Sequence, residues 1–444
     1  MATVILGAGI IGTSTAYYLS ESNNTDPASI HLVESSPELF ASASGYAAGF
    51  LARDWFKPAL ASLGALSFDL HKELAEKNDG WQKWAYSKST GTSLEESVGK
   101  KGEDWLLDGV SRSVAAASTE DKEKGDSRPT WLKGRGRLDV ISTGDSTAQV
   151  DPLRLCQFLL QACLSRGVHL RHPAQAVSIS RTASGSLESI RIASLSESAS
   201  PPHELTLPCK RLVLAAGAWT PHVHRTLFPL SQTEIPITSL AGHSLLLRSP
   251  HWPPPPPASS SSSTSPPSLP PSSLSNILTS PSPPDLPPCH ALFTTDPTGY
   301  APELFSRSPG HIYIAGLNSS SYPLPRVPTE RVLDPASIAT LHKTAERLLG
   351  EGLVVEREGV CWRPVTTTGL PIVGPLISSI AKEKGGGRGE GEVEKEEEEG
   401  VFVAAGHGPW GISLSLGTGF VVAGMVEGKS GEKELGADIT GLGF

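Results

Sequence analysis

Thr3-Val4-Ile5-Leu6-Gly7-Ala8-Gly9-Ile10-Ile11-Gly12 opens the chain and decides its first fold unit. The four leading residues, apolar or β-branched, predict a buried strand. The glycines that follow have the spacing of a dinucleotide-binding turn. Gly7 permits the tight turn. Gly9 lets backbone N–H groups approach a pyrophosphate, with Ile10 and Ile11 heading the helix at that cradle. Gly12 lets the helix pack close on the strand. A second strand, Ile30-His31-Leu32-Val33, ends at Glu34. That acid stands roughly twenty residues beyond the last glycine, where a carboxylate meets a ribose hydroxyl. Residues 2–18 carry no leading positive charge, so a strand and helix are expected there and not a signal peptide.

Further along, Ser42-Ala43-Ser44-Gly45 and Ala47-Ala48-Gly49-Phe50 form a run of small residues. A bulky planar ligand lying against backbone needs such a surface, which makes Ser44, Gly45 and Gly49 cofactor candidates. A nicotinamide-binding half would continue here into another β-α unit, whereas a flavin fold lays this loop along its cofactor. Residues 55–150 read as short helices and polar linkers. Asp151 and Pro152 then start a helix as N-cap and first helical residue, with Gly167 just past its end. A strand pair is expected at 168–170 and 176–179, and an apolar strand at 211–216 that ends in Gly217. Near the C-terminus a strand at 401–405 leads into a glycine-rich loop. Gly417-Thr418-Gly419 opens an apolar helix over 420–426, a second helix start able to face a flavin.

The chain has 444 residues, too many for one compact core and suited to two intertwined domains. The expected division gives 1–50, 151–225 and 365–444 to a discontinuous cofactor-binding domain. Residues 51–150 and 226–364 form a substrate domain with its connections. Residues 249–290 hold fifteen of the 38 prolines and a long Ser run. Such a tract cannot bury enough apolar surface to offset its ordering entropy, and reads as a disordered surface insertion. Residues 253–257 could form a polyproline helix for a partner domain. Residues 381–400, rich in Gly, Lys and Glu, read as a second disordered insertion between strands near Ile372 and Val403. The net charge is −9, and the seven Glu and one Lys of 390–399 supply most of it. The rest is mildly acidic and carries no basic patch, which excludes nucleic acid as a partner. Five cysteines without a CxxC pair suit a reducing compartment and argue against a disulfide scaffold or metal site. No apolar run is long enough for a membrane span, and the C-terminus matches no lipidation or peroxisomal signal, so the cytoplasm is the default expectation.

Five blocks in order resemble the FAD-dependent D-amino-acid oxidase superfamily, which includes glycine oxidase and sarcosine oxidase, and within it a fungal-type subgroup of oxidoreductases. They are the N-terminal glycine turn; Gly167-Val168 with the strand to Val177; Leu214-Ala215-Ala216-Gly217-Ala218-Trp219; Gly359-Val360-Cys361-Trp362-Arg363-Pro364 with Gly369-Leu370-Pro371-Ile372-Val373-Gly374; and Gly406-His407-Gly408-Pro409-Trp410-Gly411-Ile412 with Gly417-Thr418-Gly419. The resemblance implies an α/β fold: a Rossmann-like FAD-binding domain interleaved with an antiparallel-sheet substrate domain of α+β character. It implies FAD as cofactor, with the backbone of Val177 at the adenine. Ala216, Gly217, Gly406, Gly411, Ile412, Gly417 and Thr418 would lie near the flavin. Arg363 would hold a substrate carboxylate, a task suited to a planar, permanently charged donor. His407 would donate to the flavin or polarise a substrate amine, and Trp410 would wall the pocket.

Two positions depart from the glycine-oxidase branch. Its second loop arginine has no counterpart in Gly408-Pro409-Trp410, and the acid before the Gly-x-Pro motif is Thr368. The implied reaction is hydride transfer from an amine or amino-acid-like substrate to flavin N5, with oxygen or another acceptor reoxidising the flavin. Strand alternation puts Cys361 on the face of Arg363. The resemblance favours non-covalent FAD, as the Arg-Pro pair implies. A covalent link through Cys361, as in the sarcosine-oxidase branch, is the alternative, and a buried small hydrophobe is the structural reading. Arg53, His243 and Tyr300 are further candidates. Two other classes stay open: an NAD(P)-dependent dehydrogenase, and a non-catalytic regulator on a flavoprotein fold.

Overall fold

The computed structural model describes residues 2–95, 128–195, 203–252, 288–381 and 393–444. In chain order its strands are β1 (Ala2–Leu6), β2 (Ile30–Val33), β3 (Phe50–Ala52), β4 (Ser87–Glu95), β5 (Arg137–Ser142), β6 (Thr147–Gln149), β7 (His169–Arg171), β8 (Ala174–Arg181) and β9 (Leu187–Ser194). They continue as β10 (Glu204–Leu214), β11 (Ile237–Arg248), β12 (Cys289–Thr294), β13 (Glu303–Arg307), β14 (His311–Ser319), β15 (Val354–Thr366), β16 (Ile372–Ala381) and β17 (Val393–Ala405). The longer helices are α1 (Ile10–Glu21), α2 (Pro58–Lys77), α3 (Pro152–Ser165), α4 (Thr220–Leu227), α5 (Pro335–Leu349) and α6 (Ser415–Val426).

One sheet runs β16-β17-β10-β1-β2-β7, with β8 and β9 attached through β10. From β17 to β7 the pairing is parallel, and Leu6 lies in register with both Leu214 and Val33. The carboxyl ends of these strands therefore finish along one edge, where such sheets bind ligands. The apolar run of β1 is buried on both faces, as a central parallel strand requires. Ile5 packs with α1, α2, α3 and α6, while Val4 and Leu6 pack with β8, β9 and α4. The turn into α1 is as tight as its glycines allow. Gly7 has φ +107°, and a Cβ on Gly12 would collide with the Gly7 carbonyl.

The second sheet runs β15-β11-β14-β13-β12-β4-β6-β3, with β5 beside β4, and is antiparallel except for β12 on β4. The apolar stripe of α5 (Ile338, Leu341, Ala345, Leu348) covers one face through Leu245, Leu247, Ile312 and Ile314. The other face, with Phe50, Phe293, Phe305 and Tyr313, turns towards the ligand edge of the first sheet. This is the expected α/β architecture.

Several local readings need correction. Residues 58–77 form one twenty-residue helix rather than short pieces. Pro58 at its first position and the spacing of Leu60, Leu63, Phe68 and Leu74 were signals for it. The segments at 168–170 and 176–179 do not pair with each other: β7 joins β2, and β8 joins β9. The helix at Asp151 stands as read, the Asp151 side chain accepting from Arg154 N–H at 3.1 Å. Helix α6 starts at Ser415, so Gly417, Thr418 and Gly419 lie within it. The core of the Pro/Ser tract, 253–287, lies outside the described residues. Its edges are built into the fold: Trp252 is buried with Nε1–H donating to Arg307 O at 2.9 Å, and Cys289 and His290 belong to β12. Likewise 393–400 continue β17, paired antiparallel to β16, while 382–392 lie outside the described residues.

Candidate active site

A cavity of about 600 Å³ lies between the carboxyl edge of the first sheet and the inner face of the second. Gly7, Gly9, Ile10, Ile11, Glu34, Ser44 and Gly49 line it from the N-terminal unit. Val177, Ala216 and Gly217 contribute from β8 and the end of β10; Arg363, Cys361, His407, Trp410, Gly411 and Ile412 close it from the other side. Thus two distant ends of the chain meet at one cavity.

Five of the cofactor candidates stand outside the lining. Gly12 lets α1 approach the β1 turn, and a Cβ on Gly45 would collide with Phe40 O. Gly406, at φ +85°, turns the chain after β17. Gly417 faces α2, where a Cβ would stand 2.8 Å from Ser67 Cβ. Thr418 sits behind His407, its Oγ1 3.0 Å from Nε2.

At the N-terminal end, among the described residues and apart from neighbouring backbone, an added Gly9 Cβ would meet Ser44 Oγ alone, at 3.0 Å, so that position opens into the cavity. Ile10 N–H donates to Ser44 Oγ at 2.9 Å, tying the helix start to the small-residue loop. Glu34 accepts from Ala8 N–H at 3.0 Å and Ser36 N–H at 2.8 Å. Burial pushes its carboxyl above the usual range, against the pull of these donors. An open glycine cradle at a helix N-terminus, with a carboxylate at the end of the next strand, fits the pyrophosphate and ribose of FAD.

At the opposite end, β15 presents Arg357, Gly359, Cys361 and Arg363 on one face. The Arg363 guanidinium crosses Gly242 on the neighbouring strand and donates to Asn318 Oδ1. A Cβ at Gly242 would collide with that guanidinium. Tyr313 and Glu303 line the same region of the cavity from β14 and β13. Trp410 packs against Phe56, ring centres 4.8 Å apart. Burial lowers the pKa of His407 to about 3, so its imidazole is neutral and contributes hydrogen bonding rather than charge.

The loop carrying Gly411 and Ile412 is held from behind by α2. His71 Nε2 lies 3.0 Å from Ile412 O. A carbonyl only accepts, so Nε2 carries the proton, and burial keeps the ring neutral with a pKa of about 4. One turn away, Ser67 Oγ donates to Ser413 O at 2.6 Å and accepts from Gly417 N–H at 3.0 Å. Sequence reasoning missed His71, Ser67, Asn318, Glu303 and Tyr313. The helical spacing of Ser67 and His71 was legible, but the partner loop lies over three hundred residues away.

The weaker candidates fall elsewhere. Arg53 forms an exposed two-point pair with Asp69, at 3.1 and 2.9 Å. His243 is buried on β11 and accepts from Asp334 N–H at 3.1 Å, ahead of α5. Tyr300 donates to Thr344 Oγ1 at 2.6 Å within the core under α5, away from the cavity.

Known proteins resemble this chain in sequence or in fold. The chain is 26% identical over 441 residues to the Schizosaccharomyces pombe protein named "Putative oxidoreductase C1F5.03c", covering 95% of this chain and 93% of that one. Glycine oxidase from Geobacillus kaustophilus superposes with a TM-score of 0.65 at 20% identity, covering 99% and 97% of the two chains. Iminodiacetate oxidase from Chelativorans sp. BNC1 gives 0.64 at 17% identity, covering 99% and 98%. These structures share the fold. The sequence model of the FAD dependent oxidoreductase (DAO) family matches residues 2–425, nearly the whole chain and both walls of the cavity, and the chain therefore belongs to that family of FAD-binding enzymes.

Proposed function

We propose that this FAD-dependent oxidoreductase oxidises an amino-acid-like substrate at the carbon bearing its amine. The observation that carries the reading is the pair of opposite charges on the cavity face of the second sheet. Arg363 stands on β15 and Glu303 on β13, both lining the cavity. The guanidinium can take a carboxylate through two N–H donors, and Asn318 holds it in place. Glu303 offers an acceptor for the substrate amine from across the same face. Tyr313, Trp410 and Phe50 wall the space between with ring surface, which excludes water around the reacting carbon. When bound, FAD supplies the two-electron acceptor for the hydride that leaves that carbon. The protein's share is orientation: it places a charged substrate so that its C–H faces the cofactor. Gly7, Gly9, Glu34 and Ser44 would hold the pyrophosphate and ribose, Val177 the adenine, and Gly411 and Ile412 the ring end. His407, neutral and tied to Thr418, would position that last loop.

Anaerobic mixing of purified yellow protein with a panel of amines and amino acids tests this. Bleaching by amino acids, with Arg363→Lys raising the apparent substrate constant at least tenfold and leaving the flavin spectrum unchanged, is expected, because lysine loses the planar fork. Equal bleaching by wild type and Arg363→Lys would remove Arg363 from substrate binding. Admitting air then shows whether oxygen serves as the final acceptor.

A further inference from the structure

The small-residue loop at 41–49 carries no charged side chain, yet three guanidiniums converge on it. Arg307 on β13 is buried. Its Nε–H donates to Ala48 O at 2.9 Å and its Nη2 group to Ala47 O. Arg357 on β15 donates to Gly45 O at 3.1 Å and lies 4.1 Å from the centre of the Tyr46 ring. Arg331, ahead of α5, lies 4.8 Å from the same ring and donates to the Tyr46 hydroxyl at 2.7 Å. It also reaches Ala41 O at 3.4 Å. Tyr46 sits in a notch left by Gly359, where a Cβ would stand 2.5 Å from Cδ1. Gly45 and Tyr46 are the two loop residues that do not line the cavity, so this side of the loop is its outer side.

The partners of all three arginines, among the described residues, are carbonyl oxygens, a phenol and aromatic faces. None of these direct contacts is a carboxylate, and the Asp151 carboxylate acts on Arg307 only from a distance. Burying positive charge largely against dipoles is costly, and a further anion bound nearby offsets the cost. The loop is one backbone thick between the guanidiniums and the cavity. At that range, in a medium poorer in water than the surface, charge is felt strongly on the other side.

We propose that Arg307, Arg331 and Arg357 are positioning residues that clamp the 41–49 loop against bound FAD, and that their charge, acting through the loop, raises the flavin's reduction potential by favouring its anionic reduced state. The proposal rests on FAD binding and is independent of the substrate. It gives a role to three side chains that stand outside the cavity lining.

Holoenzyme with Arg357→Gln, Arg357→Lys or Arg331→Gln tests it, read by the flavin midpoint potential and by amide hydrogen exchange over 41–49. The Gln variants should shift the reduced-to-oxidised ratio about tenfold towards oxidised, equivalent to about 30 mV for a two-electron couple. Arg357→Lys keeps the charge and should keep the potential, yet lose the planar contact with Tyr46 and speed loop exchange several-fold. An unchanged potential in the Gln variants overturns the electrostatic part, and unchanged exchange in all three overturns the clamp. A lower melting temperature with neither change assigns the arginines to fold stability alone and overturns both parts. Exchange measured on protein stripped of flavin reads the arginines' hold on the loop by itself, so its failure is distinguishable from a failure to bind FAD.

Discussion

Cys361 and Arg363 stand two residues apart on one strand face, and both line the cavity. Burial pushes the Cys361 thiol up, although Arg363 and Arg357 pull the other way. At neutral pH it is a thiol and not a thiolate, which weakens it as a nucleophile towards a flavin ring. We therefore expect acid precipitation to release all the flavin into the supernatant. Colour retained by wild-type protein but lost from Cys361→Ser would establish a covalent bond instead. Arg363 illustrates a different lesson. Its guanidinium has room only because residue 242 lacks a side chain, so Gly242→Ala should weaken substrate binding much as Arg363→Lys does, while the flavin spectrum stays intact. A substrate constant unchanged in Gly242→Ala would show that the guanidinium does not need its present place.

Among the elements, α6 has the role least expected of it. The run Gly417-Thr418-Gly419 suggests a helix start facing a flavin, but Gly417 and Gly419 lie inside the helix and pack against its neighbours. A Cβ at Gly419 would stand 2.5 Å from Ser14 Cβ and 2.6 Å from Ser14 C on α1, and Gly417 meets α2 in the same way. Backbone contact of this kind leaves no rotamer to relieve a clash. Gly419→Ala should cost about 1–3 kcal/mol of stability in a denaturant titration. It should also weaken FAD binding, because it pushes on the helix whose first turn lines the cavity. Full stability in Gly419→Ala would show that the two helices can move apart freely. The acidic stretch on β17 shows the converse. Its composition suits a solvated loop, but pairing with β16 extends it as strand.

For the molecule as a whole, buried histidines set the response to acid. The folded-state pKa values of His71, His290 and His407 lie at about 4, 4 and 3, lowered by burial. In the unfolded chain they return to about 6.5, so it takes up protons first as the pH falls. The stability from keeping these rings neutral is complete above about pH 6.5 and declines towards pH 4, by up to about 1.4 kcal/mol per pH unit for each ring. Glu34, whose carboxyl is raised in the fold, works in the opposite sense near the acid end. Denaturant midpoints should thus fall between pH 7 and pH 5. His290 lies outside the cavity lining, hydrogen-bonded to Thr90 Oγ1 at 2.6 Å, and His290→Gln should flatten part of the slope. A midpoint constant over this range would rule out neutral burial as the source of acid sensitivity.

Much of this protein was legible without its structure, and for local reasons. Gly7, Gly9 and Gly12, an apolar strand before them and an acid after the next strand specify a strand, a tight turn and a helix start within about thirty residues, because turn geometry acts over that distance. Asp151 and Pro152 likewise specify a helix start by their own hydrogen bond and fixed φ. Strand alternation alone was enough to put Cys361 and Arg363 on one face. Non-local contacts had no such signal. Nothing near Arg363 in the chain reveals Gly242 or Asn318, nothing near Gly417 reveals Ser67, and nothing near Tyr46 reveals the arginines at 331 and 357. Those pairings follow from sheet register and helix crossing, which are set by how whole apolar faces fit together. Sequence determined which segments could hold a dinucleotide, whereas only tertiary packing decided which side chains surround it, because side chains far apart in the chain meet only when the two sheets close on a common cavity.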